Sequence, residues 1–221
     1  MSTAVGAGGS SGDGLRAVDG RIPGRRGQQT RARLLDVTRD LLETTGYREL
    51  RVVDIARMAD MSSATFYQYF HDVHSAILVL ADDFAVTSGA RLEAVIVDAD
   101  WTRRADEAAN QLADAFLDIW ARNQPLLRVI DLASGEGDER FAACRRRLLN
   151  PVGEALAAAV RAQVAAAEVA RRSPNAVAGV LTAMLAHVSA HQRGLEEWGA
   201  SVDALRATMA GIVRTAIAGE L

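Results

Sequence analysis

The run Ser62-Ser63-Ala64-Thr65, followed by Tyr67 and Gln68, carries the chemistry most easily read from this chain. Four small side chains let a backbone approach a grooved surface closely. Their hydroxyls can bond base edges or phosphate oxygens, and the methyl groups of Ala64 and Thr65 can meet the methyl of thymine. Tyr67, Gln68 and Tyr69 are long enough to reach phosphates. This is reversible recognition rather than bond-making.

Other constellations are weaker. His187 and His191 sit four apart with Glu196 nearby, a spacing that can hold zinc, but Val188 stands where an HExxH motif needs Glu. Core or dimer-interface histidines are the better reading, so neither a metal nor a cofactor is expected. No nucleophile elbow, phosphate-binding Gly loop or opposed carboxylate pair is present, so no enzyme is expected. Asp82-Asp83 and Glu196-Glu197 are adjacent pairs that diverge on a helix. Cys144, beside Arg145 to Arg147, is either a thiol of lowered pKa suited to redox sensing or a buried inert one; the second is preferred.

The elements that must position these residues are helical throughout. A first helix is expected over residues 28–45, with Leu34, Leu35, Thr38, Leu41 and Leu42 on one face and Gly46 as its stop. A short helix over 51–59 turns inward Val52, Ile55, Ala56 and Ala59. Asp60 and Met61 make a tight turn, since Asp tolerates the left-handed conformation. Ser62 then caps a third helix over 63–70. Two short helices joined by a tight turn are a helix-turn-helix, whose second helix fits the major groove. An ordinary helical hairpin with a polar face fits the composition equally well.

Longer helices follow over 73–98, 102–123, 125–133, 138–172, 173–193 and from Ser201 onward. Pro151 predicts a kink or break at Asn150. Ser173-Pro174 is a helix start, 194–200 a connector, and Ser201 the cap of the last helix. The fold class is all-α. Residues 1–27, rich in Gly, Ser and Ala, form a flexible tail; 28–72 form the helix-turn-helix domain and 73–221 a larger helical domain.

Composition bounds the rest. The chain has 221 residues, 49% hydrophobic, enough for a sizeable core. Its net charge is -3, yet residues 21–74 carry nine Arg against seven acidic side chains. A mildly basic segment joined to an acidic one suits contact with phosphates at one end. A local excess of +2 is too small for backbone-only DNA packaging. One cysteine excludes a disulfide framework, and no run of 18 apolar residues suggests a membrane span. A cytoplasmic location is expected.

The segment Gly46-Tyr47, Asp54-Ile55-Ala56, Ser62, Thr65-Phe66-Tyr67 and Tyr69-Phe70 resembles the N-terminal domain of the tetracycline-repressor (TetR/AcrR) family, over about 30–84. The resemblance implies base contacts from Ser63, Ala64 and Thr65 and phosphate contacts from Tyr67 and Gln68. Three departures stand out: Asp60 where Gly is common, Leu50 or Arg51 where a small hydroxyl residue often caps the second helix, and Val73 where Lys is frequent. His71 or His74 can stand in for that Lys. Phosphate affinity then leans on Arg25, Arg26, Arg31 and Arg51.

The resemblance further implies a homodimer through the last two helices, where Ala178, Ala183, Ala186, Ala190, Ala204, Ala207 and Gly211 permit close packing. It implies a ligand cavity in the larger domain. Phe84, Phe116, Trp120, Phe141 and Met184 are the apolar candidates, with Asn123 and His187 as polar anchors. Function follows as an expectation: a repressor released from a palindromic DNA operator by a small, mainly apolar effector.

Overall fold

Leu34, Val37, Thr38 and Leu42 recur at helical spacing, and their burial sets the first helix, α1 (Arg25–Thr44). The computed structural model describes Val18, residues 23–167 and residues 173–218, without the side chains of 164–167. Most of the expected N-terminal tail lies outside the described residues, but helix α1 begins at Arg25, three residues before the expected start. It also ends without help from Gly46. Thr45 turns extended, at φ -118° and ψ 134°, and the positive-φ glycines among the described residues are Gly137 and Gly199.

Two short helices follow, α2 (Val52–Met58) and α3 (Ser63–Tyr69), then α4 (Val73–Val97). The chain divides into two compact units, Met1–Ala81 and Asp82–Leu221. In the first, Leu34, Ile55, Phe66, Phe70, Ala76 and Ile77 form the core. Thr38 is fully buried, but its hydroxyl donates to the Leu34 carbonyl at 2.7 Å, which removes the cost of burying it. Tyr47 and His74 are joined through the phenol hydroxyl and Nδ1, tying the segment after α1 to the start of α4.

The second unit holds the rest of α4, then α5 (Ala105–Arg122), α6 (Gln124–Gly135), α7 (Glu139–Ala167), α8 (Pro174–Ala190), α9 (Gln192–Glu197) and α10 (Val202–Ala218). The described residues are all-α, as the periodicity predicts. α5 packs on α10 and α8, and α7 packs on α8 and α6. Leu112, Phe116, Ile130, Phe141, Leu148, Leu156, Leu185 and Val213 fill the interior. Trp101 is buried with its indole N–H donating to the Ile96 carbonyl at 3.0 Å.

Several boundaries differ from expectation. α6 continues through Ser134 and Gly135 before Gly137, at φ +92°, reverses the chain. α8 stops at Ala190, short of the expected 193, and residues 192–197, expected as the end of that helix and the start of a connector, form α9. Of the kink or break expected at Asn150, the break does not occur, since α7 runs through Pro151. One missing N–H costs a long helix packed on α6 and α8 one hydrogen bond, not its continuity. Ser173 and Ser201 cap as expected, accepting from Ala176 N–H at 3.4 Å and Ala204 N–H at 3.2 Å.

Among the described residues α4 is the one helix long and apolar enough to cross a membrane. Asp82 and Asp83 lie in it, and Asp82 is paired with Arg147 of α7. An ion pair to a packed neighbour is what a helix of a folded bundle shows.

Candidate nucleic-acid interface

α2 closes in a tight left-handed turn. Met61 N–H donates to the Ala56 carbonyl at 2.8 Å and Asp60 N–H to that of Arg57 at 3.2 Å. Asp60 sits at φ +58°. This nested pair is a Schellman closure with Asp at the position usually held by Gly. It reverses the chain in two residues and delivers Ser62 to the start of α3.

Ser62 Oγ accepts from Thr65 N–H at 3.1 Å and lies 3.0 Å from Thr65 Oγ1. Such a cap contributes about 1 kcal/mol to the helix. The Ser62 hydroxyl is therefore occupied in holding α3, and it also orients Thr65. Phe66 is fully buried, in edge contact with Tyr67 and tilted against Phe70 at 5.4 Å. Burying a phenylalanine is worth about 2–3 kcal/mol, so Phe66 is the residue that pins this short helix.

The rest of α3 faces out. Ala64, Tyr67 and Gln68 are exposed, Tyr67 at 52%. Ser63 and Thr65 are half-buried on its flanks. The structure thus brings Ser63, Ala64, Thr65, Tyr67 and Gln68 onto one short helix with a single inward anchor. The Gln68 carbonyl accepts from Val18 N–H at 3.1 Å.

The cations divide. Arg51 is exposed at the start of α2, which has no side-chain cap. Arg25 and Arg26 are exposed in the first turn of α1. That turn lies against the end of α3, because a Cβ on Gly27 would sit 3.2 Å from the Tyr69 hydroxyl. Arg31 corrects the expectation of a surface cation. It is 8% exposed, its guanidinium lies 5.1 Å from the centre of the Phe70 ring, and its Nε has no partner. Burial lowers its pKa from the usual arginine value. A guanidinium spent on an aromatic face is less available to phosphate. Periodicity held a signal for this, since Arg31 is three and seven residues before Leu34 and Thr38. His71 is exposed, whereas His74 is half-buried on Tyr47.

In the second unit the expected ligand residues differ in burial. Phe116 and Trp120 stack, with centroids 5.3 Å apart, and both are buried. Phe141 is fully buried; Phe84, Met184 and Asn123 are half-buried. Asn123 spends its amide on the Ile119 carbonyl at 2.8 Å. His187 is exposed and stacks on His191, so it is not an interior anchor. A groove of about 480 Å³ does open between α4 and α7, lined by Val86, Ala90, Ala143, Asn150 and Pro151 among others. None of the expected ligand residues lines it. Cys144 is buried, which raises its pKa; a backbone hydrogen bond offsets part of the rise and Asp138 adds to it. The alternative of a lowered-pKa thiol is overturned.

Comparison with known proteins gives the same architecture. The family model described as bacterial regulatory proteins, tetR family, matches residues 34–72. The one described as tetracyclin repressor-like, C-terminal domain, matches residues 92–220, more than half the chain. None of the curated proteins matches. Among solved structures, the fatty acid degradation regulator FadR from Bacillus halodurans is similar at 16% identity and TM-score 0.62, over 87% of this chain and 96% of that one. FadR from Bacillus subtilis, solved in complex with stearoyl-CoA, is similar at 14% identity and TM-score 0.62, over 85% and 98%. A transcriptional regulator of the TetR/AcrR family from Thermobifida fusca YX-ER1 is similar at 19% identity and TM-score 0.58, over 87% and 99%. With its N-terminal helix-turn-helix and its C-terminal helical domain each matched by a model of the family, the chain belongs to the TetR family of bacterial regulatory proteins.

Proposed function

We propose that this protein is a cytoplasmic, dimeric repressor that binds a palindromic operator through α3 and leaves it when a small, mainly apolar molecule binds the second unit. The observation that carries this is the exposure of Ala64, Tyr67 and Gln68 around a helix held by buried Phe66 alone. Such a helix can enter a major groove without rearrangement. Ser63, Ala64 and Thr65 read bases, with Thr65 oriented by Ser62. Tyr67, Gln68, Arg51, Arg25 and Arg26 contact phosphates.

A single helix-turn-helix contacts few bases, so two copies are needed for a specific site. The outward faces of α8 and α10 suit that pairing. Ala178 and Ala186 turn into the chain's own core, whereas Ala183, Ala204, Ala207 and Gly211 are exposed. Val180 is 69% exposed and Ile212 40%. Small residues around two exposed aliphatic side chains let helices of a second copy pack closely.

For the effector we propose the interior around Phe116, Trp120, Phe141 and Met184, where apolar and aromatic groups line the helices. The stearoyl-CoA bound by the Bacillus subtilis neighbour supports an effector with a long apolar part. Release requires the effector to favour one arrangement of the reading heads over the other. α4, with residues in both units, is the element we assign to carrying that bias.

The test is selection of bound fragments from genomic DNA by the purified protein. A recurring palindrome is expected. Enrichment of no sequence over bulk DNA would remove the operator reading.

A further inference from the structure

Near the end of α8 the chain sets two imidazoles side by side on its surface. His187 and His191 are both exposed, with ring centroids 4.1 Å apart and planes 26° from parallel. His187 lies in the last turn of α8 and His191 is its C-cap residue, four positions on, so the two side chains stand one above the other. The sequence alone favoured core or dimer-interface histidines here. Their exposure in the chain removes the core reading and leaves them on the outward face of α8 that also carries Val180 and Ala183.

The ring nitrogens are not equivalent. Nδ1 of His191 lies 3.0 Å from the backbone carbonyl oxygen of His187. A carbonyl only accepts, so in the neutral ring Nδ1 carries the proton and Nε2 keeps its lone pair. A metal-ligating histidine is usually held this way, by donation of its other N–H to a carbonyl or carboxylate. Among the described residues no hydrogen bond holds the His187 ring. Two imidazole nitrogens on a tetrahedral ion, each at about 2.05 Å, stand about 3.4 Å apart. The rings are stacked with centroids 4.1 Å apart, and because a ring nitrogen's lone pair lies in the ring plane, each exposed ring must turn about its side-chain torsions for both nitrogens to face one ion. The carbonyl ends of the last turn of α8 add a negative partial charge that favours a cation.

We propose that His187 and His191 form a two-imidazole chelate for a divalent transition ion of the copper, nickel and zinc class. Imidazole suits these ions, while magnesium and calcium demand oxygen ligands. Among the described residues no third His, Cys, Asp or Glu joins the pair. The remaining coordination positions go to water or to a second copy of the same pair. Both imidazoles come from one chain, and the chelate does not rest on the operator reading.

The experiment is calorimetric titration of the full-length, tag-free protein with zinc chloride, with magnesium chloride as the control. Saturable zinc binding is expected, weakened at least about tenfold by His187→Ala and by His191→Ala. Zinc is expected to raise the melting temperature of the unsubstituted chain and not of either variant. Both side chains are exposed, so matched circular dichroism and melting without metal establish that the variants fold. One ion per chain assigns the open positions to water; one per two chains assigns them to a second copy; both support the chelate. Zinc affinity unchanged by both substitutions, or no saturable binding up to about 1 mM, overturns it.

Discussion

Gly89 of α4 rests its backbone on the carbonyl oxygen of Arg147 in α7, the carbonyl whose helical donor would be the N–H that Pro151 lacks. A Cβ on Gly89 would lie 2.8 Å from that oxygen and 3.1 Å from the Leu148 carbonyl oxygen. Both are backbone atoms and cannot swing aside. Pro151 frees an acceptor, and the glycine lets a neighbouring helix approach it closely. Gly89→Ala is expected to destabilise the protein by about 1–3 kcal/mol, as overpacking does. The urea midpoint should fall with the slope unchanged. An unchanged midpoint would show that α4 and α7 separate freely here.

Ser62 and Tyr67 should separate stability from recognition. Ser62→Ala removes the cap of α3 and should cost about 1 kcal/mol. Tyr67→Ala and Thr65→Ala alter groups that carry no core packing, so their unfolding midpoints should stay close to that of the parent. Both should weaken operator binding about 10-fold or more, since each good contact is worth about 1–3 kcal/mol. Fluorescence anisotropy with the selected operator measures this. Full affinity in both would remove α3 as the reading helix.

Asp60 pays for the turn between α2 and α3 with a left-handed backbone, at φ +58°. Asp tolerates that region better than most residues and worse than Gly. Asp60→Gly is expected to raise stability by about 0.5 kcal/mol, the relief of strain exceeding the added freedom of the unfolded chain. Asp60→Ala should lower it. Thermal melts of the pair decide the matter, and a loss in both would point to a side-chain role for Asp60.

The same turn shows what sequence can resolve. Asp60-Met61-Ser62 was legible because each residue answers a local backbone demand: φ > 0, a reversal, a cap. Phe66 was legible because periodicity leaves it one place to go. Gly46 misled for the same reason that Asp60 did not. A glycine after a helix suggests a left-handed stop, yet Thr45 ended α1 by turning extended. Arg31 and His187 were misread because their type spoke louder than their register. Arg31 lies on the apolar face of α1, and His187 on the outward face of α8. Whether a polar side chain is buried depends on neighbours that are distant in sequence, and Phe70 is the neighbour that holds Arg31.

Cys144 should be inert and should make stability fall at alkaline pH. Burial raises its pKa. The unfolded chain therefore loses the thiol proton first as pH rises, binds fewer protons than the folded state, and is favoured. This contribution is fully present below the ordinary thiol range and disappears as pH climbs through it. Between about pH 8 and pH 10, the melting temperature should fall more steeply for the parent than for Cys144→Ala. Native protein should react slowly with a thiol reagent and quickly once unfolded. Rapid native labelling would show that the buried environment opens readily.

Ala183 tests the pairing of two copies. It is exposed on α8, three residues from Val180, which is 69% exposed. In the chain alone, Ala183→Glu adds a solvated carboxylate and should leave the melting of a monomer almost unchanged. In a dimer built on this face, it places like charges opposite each other and desolvates them. The expected result is a shift from dimer to monomer in sedimentation velocity, with operator affinity reduced about 100-fold or more because one reading head must bind alone. Ala186→Glu is the opposing case, since Ala186 is 7% exposed and faces the chain's own core; it should unfold the protein rather than divide it. A dimer that survives Ala183→Glu with full affinity would move the interface off α8.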